Sequence, residues 1–289
     1  MLRGSFLEKP DDVHVKLREA MLCGAILPPP TIPALNLISA RFPEFGGDQA
    51  IAALRRDGLA VIQFDEVLSN PAFLSFGRTL GEPMPESHPT VASYVESEVI
   101  LNLIARHGAT TDANLQPFAR TFLSVHSEGS GRPVAEQPRY IVLMCCEPGD
   151  DATTAQTALV SMADVAARLS DRAIEILSQT RYLRNTAGPN ICRAEGHGLV
   201  FSFRDFMADP LEWVSTCAGA TPEDVNDALL SLLRATYQGD DATGVHWRSG
   251  MLVVIDNTRY FHARTSRSTR AVVRSRHLKR LRIISSSHR

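Results

Sequence analysis

Two neighbouring side chains in the sequence have the types and spacing of metal ligands. His126 and Glu128 lie two residues apart in SVHSEGS, at the end of an apolar run. In a β-strand, residues i and i+2 point to the same face, so an imidazole and a carboxylate can meet one cation there. The pair is weak evidence alone, because the chain has nine histidines and a surface hydrogen bond explains it as well.

A distant histidine strengthens the prediction of a metal site. His262 follows the apolar run MLVVID, an Asp-Asn pair and a short turn, and only the tertiary fold could bring it to Glu128. Two histidines and one carboxylate on one face of an iron(II) ion leave positions open for a chelating cosubstrate and for O2. Zinc accepts the same types of ligand, so ligand type alone does not choose between the two metals.

The segment after His262 is strongly basic. Arg276 and Arg280 are an even number of residues apart, so both face the same side of the predicted strand RHLKRLRII. A guanidinium offers a planar pair of donors that suits the far carboxylate of a chelating dicarboxylate. Residues 259–289 contain ten Lys or Arg and no acid, so a solvated basic edge strand accounts for part of this pattern.

The elements that must position these residues are mostly short strands. Apolar runs bounded by turn residues predict strands at 59–64, 98–105, 121–126, 139–146, 157–162, 181–186, 198–203, 250–257 and 276–284. Helices are predicted from a cap at Asp48 to Gly58, at 70–81, at 162–178 with a break near Ser170, and at 222–237 after an N-cap at Thr221. The chain is therefore expected to be mainly β with flanking helices, with a double-sheet jelly roll as its core.

The bulk composition is that of an ordinary globular protein, with 44% hydrophobic and 21% charged residues. We expect a single domain over 1–289, with an N-terminal arm over 1–33 that ends in the proline-rich LPPPTIP. A formal net charge of −2 and the absence of a long apolar run argue against nucleic-acid and membrane partners. Five cysteines and an N-terminus without an apolar signal core favour the cytoplasm.

Taken together, these pieces resemble the clavaminate synthase-like group of iron(II)/2-oxoglutarate dioxygenases, within the taurine dioxygenase superfamily. That group has H-x-E or H-x-D, a long gap, W-x-x-G-x-x-x-x-x-D-N before a distal His, and a downstream Arg. Here the pieces are the His126–Glu128 pair, WRSGMLVVIDNTRYFHART and the paired arginines of RHLKR, and the likeness runs from residue 77 to 280. The resemblance implies a double-stranded β-helix fold, with His126, Glu128 and His262 holding iron(II).

The resemblance also implies roles for other residues. Arg276 would bind the distal carboxylate of 2-oxoglutarate, and Thr157 would support the same carboxylate. A structural role explains Thr157 equally well, because β-branched residues are common in strands. Arg280 matches the arginine that often meets a substrate carboxylate. Glu96 is a candidate for the substrate amino group, with a solvated loop acid as the commoner alternative. His277 stands where many relatives have an aromatic residue, which leaves the identity of the substrate open.

The predicted activity is oxidative decarboxylation of 2-oxoglutarate with O2, coupled to hydroxylation of an unactivated C–H bond. The small-molecule substrate would be a free amino acid or a close derivative, in specialised metabolism such as antibiotic biosynthesis. Desaturation, epoxidation or cyclisation at the same iron remain alternatives, as does a non-catalytic sensor of 2-oxoglutarate or metal. A further alternative is an aminoacyl group tethered to a carrier protein, docked on arginines 264–274 such as Arg267 and Arg270. Oligomeric state is left open.

Overall fold

The fold combines short strands with helices along the whole chain. A computed structural model describes residues 1–24, 26–41, 46–104, 115–153, 155–184, 187–196, 198–239, 241–266 and 274–285. The strands are β1 Leu2–Phe6, β2 Leu35–Leu37, β3 Leu59–Phe64, β4 Glu82–Pro83, β5 Val95–Glu96, β6 Ile100–Ile104, β7 Leu123–His126, β8 Tyr140–Glu147, β9 Thr157–Ser161, β10 Thr180–Tyr182, β11 Cys192–Glu195, β12 Gly198–Phe201, β13 Leu211–Ser215, β14 Thr243–Val245, β15 Met251–Asp256, β16 Tyr260–Arg264 and β17 His277–Ile284. The α-helices are α1 Val13–Glu19, α2 Gly46–Asp57, α3 Asn70–Leu80, α4 Met162–Ala167, α5 Asp171–Leu177 and α6 Pro222–Tyr237.

Two sheets form the centre of the fold. The larger has eight strands, in the order β2-β3-β15-β8-β17-β6-β5 with β4 paired to β17, and the smaller has four, in the order β14-β9-β16-β7. Pairing is antiparallel except between β2 and β3. The mainly β architecture with flanking helices agrees with the sequence prediction. The main departure is β16, which the sequence analysis had treated as a turn and which carries His262.

Alternating side chains of the central strands enter different layers of the core. In β8, Val142 and Met144 pack towards α2 and α3, while Ile141, Leu143 and Cys145 face the interior between the two sheets. Both faces of the strand are therefore covered, which explains why its sequence is a continuous apolar run instead of an alternating one. A third apolar cluster packs α4, α5 and α6 against the smaller sheet.

Local capping rules predicted most of the helix ends correctly. The Thr221 hydroxyl accepts from the Asp224 amide and the Asp224 carboxylate accepts from Thr221, which closes a capping box at the start of α6. Ser170 caps α5, at the break predicted within 162–178. The prediction for Asp48 was wrong: α2 begins at Gly46, so Asp48 lies in the first turn, where its charge still favours the positive end of the helix dipole.

The N-terminal arm packs on the rest of the fold. β1 pairs along its whole length with β13, and α1 packs against α6. Arg18 is buried at 5% exposure and forms ion pairs with Glu8 and Asp205. Within the described ranges, no helix has the length and apolarity needed to cross a membrane.

Candidate metal centre and cavity

Two of the candidate ligands are direct partners across neighbouring strands. β7 and β16 are antiparallel, and their register places His126 opposite His262, with ring centroids 4.2 Å apart. Glu128 follows β7, and its Oε2 lies 3.9 Å from Nε2 of His126 and 3.7 Å from Nε2 of His262. One ligand atom from each residue lies within 4.8 Å of the other two. This donor set can therefore close on one divalent cation.

Hydrogen bonding and burial prepare these side chains as ligands. Nδ1 of His126 donates to the Ser124 carbonyl at 2.8 Å, which leaves Nε2 free of its proton and turned to the site. Burial and the neighbouring His262 lower the pKa of His126 to about 3, so the ring is neutral at physiological pH. Burial raises the pKa of Glu128, but Arg280 and His262 outweigh it and hold that pKa well below its usual range. Neutral imidazoles and an ionised carboxylate are the forms that bind metals.

The Asp-Asn turn after β15 holds the backbone of Glu128. Oδ1 of Asn257 accepts from the Glu128 amide at 2.8 Å, and its Nδ2 donates to the carbonyls of Glu128 at 3.0 Å and Pro138 at 2.9 Å. Asp256 accepts from Arg139 at 2.7 Å and caps the turn through Thr258 at 2.9 Å. The Asp-Asn pair is therefore a clamp that links the larger sheet to the metal strand.

The other edge of β7 is held by the segment after β12. The Ser127 amide donates to the Phe203 carbonyl at 2.9 Å, and the Phe203 amide donates to the Ser127 hydroxyl at 3.1 Å. The buried Asp205 carboxylate accepts from Arg18 at 2.8 Å and from the Tyr237 hydroxyl at 2.6 Å. The same hydroxyl accepts from the amide before His126, at Val125. Sequence reasoning missed this network, because its members come from distant segments.

A cavity of about 520 Å³ lies beside the three candidate ligands. Its walls come from both sheets, and Arg276, Thr157 and Arg280 all line it. Arg276 is 5% exposed, and its contacts include a hydrogen bond to the Ala155 carbonyl. Arg274, in contrast, is exposed and lies outside the residues that line the cavity.

Glu96 does not reach this cavity. It lies on the short edge strand β5, where its exposed side chain accepts a hydrogen bond from Asn70. The sequence prediction of contact with a substrate amino group is therefore not supported by the geometry. His277 also lies outside the residues that line the cavity, and its Nε2 donates to Oδ1 of Asn102 at 2.7 Å on the neighbouring strand.

A buried acid that the sequence analysis missed pairs with the arginines of β17. Glu86 accepts from Arg280 at 2.9 Å through one oxygen and from Arg282 at 2.8 Å through the other. Arg280 and Arg282 also lie 3.4 Å and 3.6 Å from Oε1 of Glu128. Arg282 could have been found, since it continues the even spacing from Arg280. Glu86 had no such signal, because it reaches the site from a separate segment.

Comparison with known proteins gives the same family as the sequence motifs. The family model described as taurine catabolism dioxygenase TauD, TfdA family matches residues 39–282. This match confirms the resemblance to the taurine dioxygenase superfamily. No curated protein sequence matches the chain.

Solved structures with the same fold include several oxygenases. PvcB from Pseudomonas aeruginosa has a TM-score of 0.60 and 21% identity, over 86% of this chain and 85% of that one. An asparagine oxygenase bound to Fe(II), 2S,3S-3-hydroxyasparagine and succinate has a TM-score of 0.58 and 17% identity, over 82% and 78% of the two chains. A taurine dioxygenase from Burkholderia xenovorans has a TM-score of 0.62 and 14% identity, over 90% of each chain. The predicted double-stranded β-helix fold is confirmed by these likenesses.

Proposed function

Because the chain belongs to the TauD, TfdA family of iron(II)- and 2-oxoglutarate-dependent dioxygenases, we propose that it hydroxylates an unactivated C–H bond of a free amino acid or a close derivative. The observation that carries this proposal is a single cavity that contains the His126, Glu128 and His262 donors and whose lining includes both arginine and glutamate side chains. Amino acids need both signs, since they present a carboxylate and an ammonium on neighbouring atoms.

Iron(II) fits the three donors by ligand type and by geometry. Two imidazoles and one carboxylate would bind it, and the cavity lies beside the donor atoms. The Ser124 carbonyl fixes the tautomer of His126, which supports its role as a ligand. When bound, iron(II) with 2-oxoglutarate and O2 supplies the oxidising power that breaks a C–H bond.

The cosubstrate would be held by residues of the two facing sheets. Arg276, the residue before β17 of the larger sheet, offers a buried guanidinium for the distal carboxylate of 2-oxoglutarate, and Thr157 on the smaller sheet adds a hydroxyl on the cavity wall. Burial strengthens such a contact, because the charge-assisted hydrogen bonds are not screened by water.

The amino-acid proposal rests on the group formed by Arg280, Arg282 and Glu86. A substrate carboxylate can pair with Arg280, while the Glu86 carboxylate offers a partner for an ammonium group at the same wall. A carrier-tethered thioester has no carboxylate to meet Arg280. The docking patch that this alternative requires, with Arg267 and Arg270, lies outside the described residues.

The first test concerns the metal and the cosubstrate. Anaerobic addition of iron(II) and 2-oxoglutarate should produce a visible charge-transfer band, and His126→Ala or His262→Ala should abolish it. His88→Ala is the matched control, because His88 lines the same cavity but lies outside the donor set. Loss of the band in the control alone, or its absence in the wild type, would contradict the metal assignment.

The second test concerns the substrate. A mass-spectrometric screen of free amino acids should find one that gains an oxygen atom while succinate forms, and Arg280→Ala should cripple that reaction. Robust hydroxylation of a carrier-bound amino acid, with none of the free one, would overturn the proposal of a free substrate. A purely desaturated or cyclised product would keep the iron centre but correct the reaction type.

A further inference from the structure

Arg204 occupies the position next to the metal ligands on the smaller sheet. An isolated antiparallel bridge pairs Arg204 with His126, and the register of β7 and β16 pairs His126 with His262. Side chains of directly paired residues point to the same face of a sheet, with their Cβ atoms about 5 Å apart. The three side chains therefore form one row that faces the cavity, and Arg204 is among the cavity-lining residues.

Among the described residues, the guanidinium of Arg204 lacks the carboxylate partner that Arg280 and Arg282 have. Its side chain donates to the amide oxygen of Gln116, which is neutral, and no carboxylate of the described residues lies within ion-pair distance of it. Arg280 and Arg282 on the facing sheet share the Glu86 carboxylate. Arg264, which also lines the cavity, is engaged by backbone carbonyls that include that of Thr121.

A half-buried cation beside the candidate metal ligands, with no carboxylate of the described residues within ion-pair distance, is a site prepared for an anion. The partial loss of hydration at Arg204 is unfavourable for the free protein, and a bound carboxylate would offset it through charge-assisted hydrogen bonds. The site is also separate from the arginines of β17, because Arg204 approaches from the other sheet. A ligand that reaches both walls must carry its charged groups at two ends.

We propose that Arg204 binds the side-chain carboxylate of the substrate, so that the substrate is an acidic amino acid or a derivative that keeps the acidic group. This inference rests on the proposed function, in which Arg280 meets the α-carboxylate. The substrate would then span the cavity between the two sheets, with its middle carbons next to the metal ligands. Arg204 is a specificity-determining residue in this arrangement, since its charge distinguishes an acid from the amide of the same shape.

The experiment compares acids with their isosteric amides. Wild-type protein loaded with iron(II) and 2-oxoglutarate is titrated anaerobically with aspartate, asparagine, glutamate, glutamine and lysine, and binding is read from the change in the charge-transfer band. Succinate formation in air is measured for the same ligands. At least one acid should bind about tenfold or more tightly than its amide, as a difference of one charge-assisted contact implies.

Two variants of Arg204 and one control separate charge recognition from folding. Arg204→Gln should remove the preference for the acid while changing amide binding by less than about threefold, and Arg204→Glu should reverse it in favour of lysine. Arg184→Gln is the matched control, because Arg184 is an exposed arginine that pairs with Glu212 away from the cavity. It should leave the acid preference unchanged.

The outcomes distinguish a failure of the Arg204 assignment from a failure of the proposed function on which it rests. If no charge-transfer band forms in the wild type, the proposed function itself fails. If the band forms but no acid binds better than its amide, or Arg204→Gln weakens acid and amide equally, the assignment of Arg204 is wrong while the proposed function stands. A band that no acidic ligand perturbs would likewise overturn the assignment.

Discussion

Replacing Asn257 should weaken both the fold and metal binding, because its side chain ties three backbone groups together. It is 3% exposed and accepts from the Glu128 amide while donating to the carbonyls of Glu128 and Pro138. Asn257→Ala removes all three hydrogen bonds. Asn257→Asp keeps the shape but loses both donations, and it places a carboxylate oxygen against two carbonyl oxygens.

The magnitude follows from these contacts. A buried hydrogen bond contributes about 1 kcal/mol net, so the loss of three should lower the free energy of unfolding by about 3 kcal/mol. Asn257→Asp should be at least as destabilising as Asn257→Ala, since a buried carboxylate that keeps one donor, the Glu128 amide, and faces two carbonyl oxygens costs more than a small apolar side chain. Because Asn257 positions a metal ligand without touching the metal, metal affinity should fall by about 10–100-fold.

Urea unfolding of the metal-free protein and titration with manganese(II), as a redox-stable substitute for iron(II), would measure the two effects separately. Asn226→Ala is the control. Asn226 lies in α6, makes two side-chain hydrogen bonds, to Trp213 and Ser5, and does not line the cavity. It should lower stability without changing metal affinity. If Asn257→Ala leaves metal affinity within about twofold of the wild type, the clamp does not position Glu128 and the reasoning fails.

Three further predictions follow from the site. Arg276→Ala should raise the apparent 2-oxoglutarate requirement by tens-fold or more, because it removes about 2–5 kcal/mol of binding free energy. An equal or larger effect of Arg274→Ala would show that the wrong arginine was assigned to the contact. The free energy of unfolding of the metal-free protein should fall as pH falls from about 6.5 towards 3, by up to about 1.4 kcal/mol per pH unit, because the unfolded chain protonates His126 in a range where the folded ring stays neutral. His126→Gln should flatten this pH dependence in urea unfolding. An unchanged slope in the variant would contradict the reasoning. Within the loop 129–138, residues 129–132 line the cavity and Glu136 is exposed. Cleavage at Glu136 by a glutamate-specific protease should therefore slow when iron(II), 2-oxoglutarate and substrate are bound, and equal cleavage with and without them would argue against a lid.

The sequence by itself determined the features that depend on near neighbours in the chain. The common face of His126 and Glu128 follows from the two-residue period of a strand, and the same period accounts for Arg276 and Arg280. The capping box of α6 at Thr221 is equally local, since its donors and acceptors lie within one turn. Such features need no knowledge of how the sheets assemble.

Only the tertiary structure decided which distant segments meet at the site. The position of His262 opposite His126 depends on the register between β16 and β7, and β16 itself escaped the sequence reading. Glu86 enters the cavity and Glu96 does not, although both are acids of the same region. The bridge between Arg204 and His126 joins residues with no periodic relation. Contacts of this kind depend on strand pairing across the whole chain, which a local pattern of side chains does not encode.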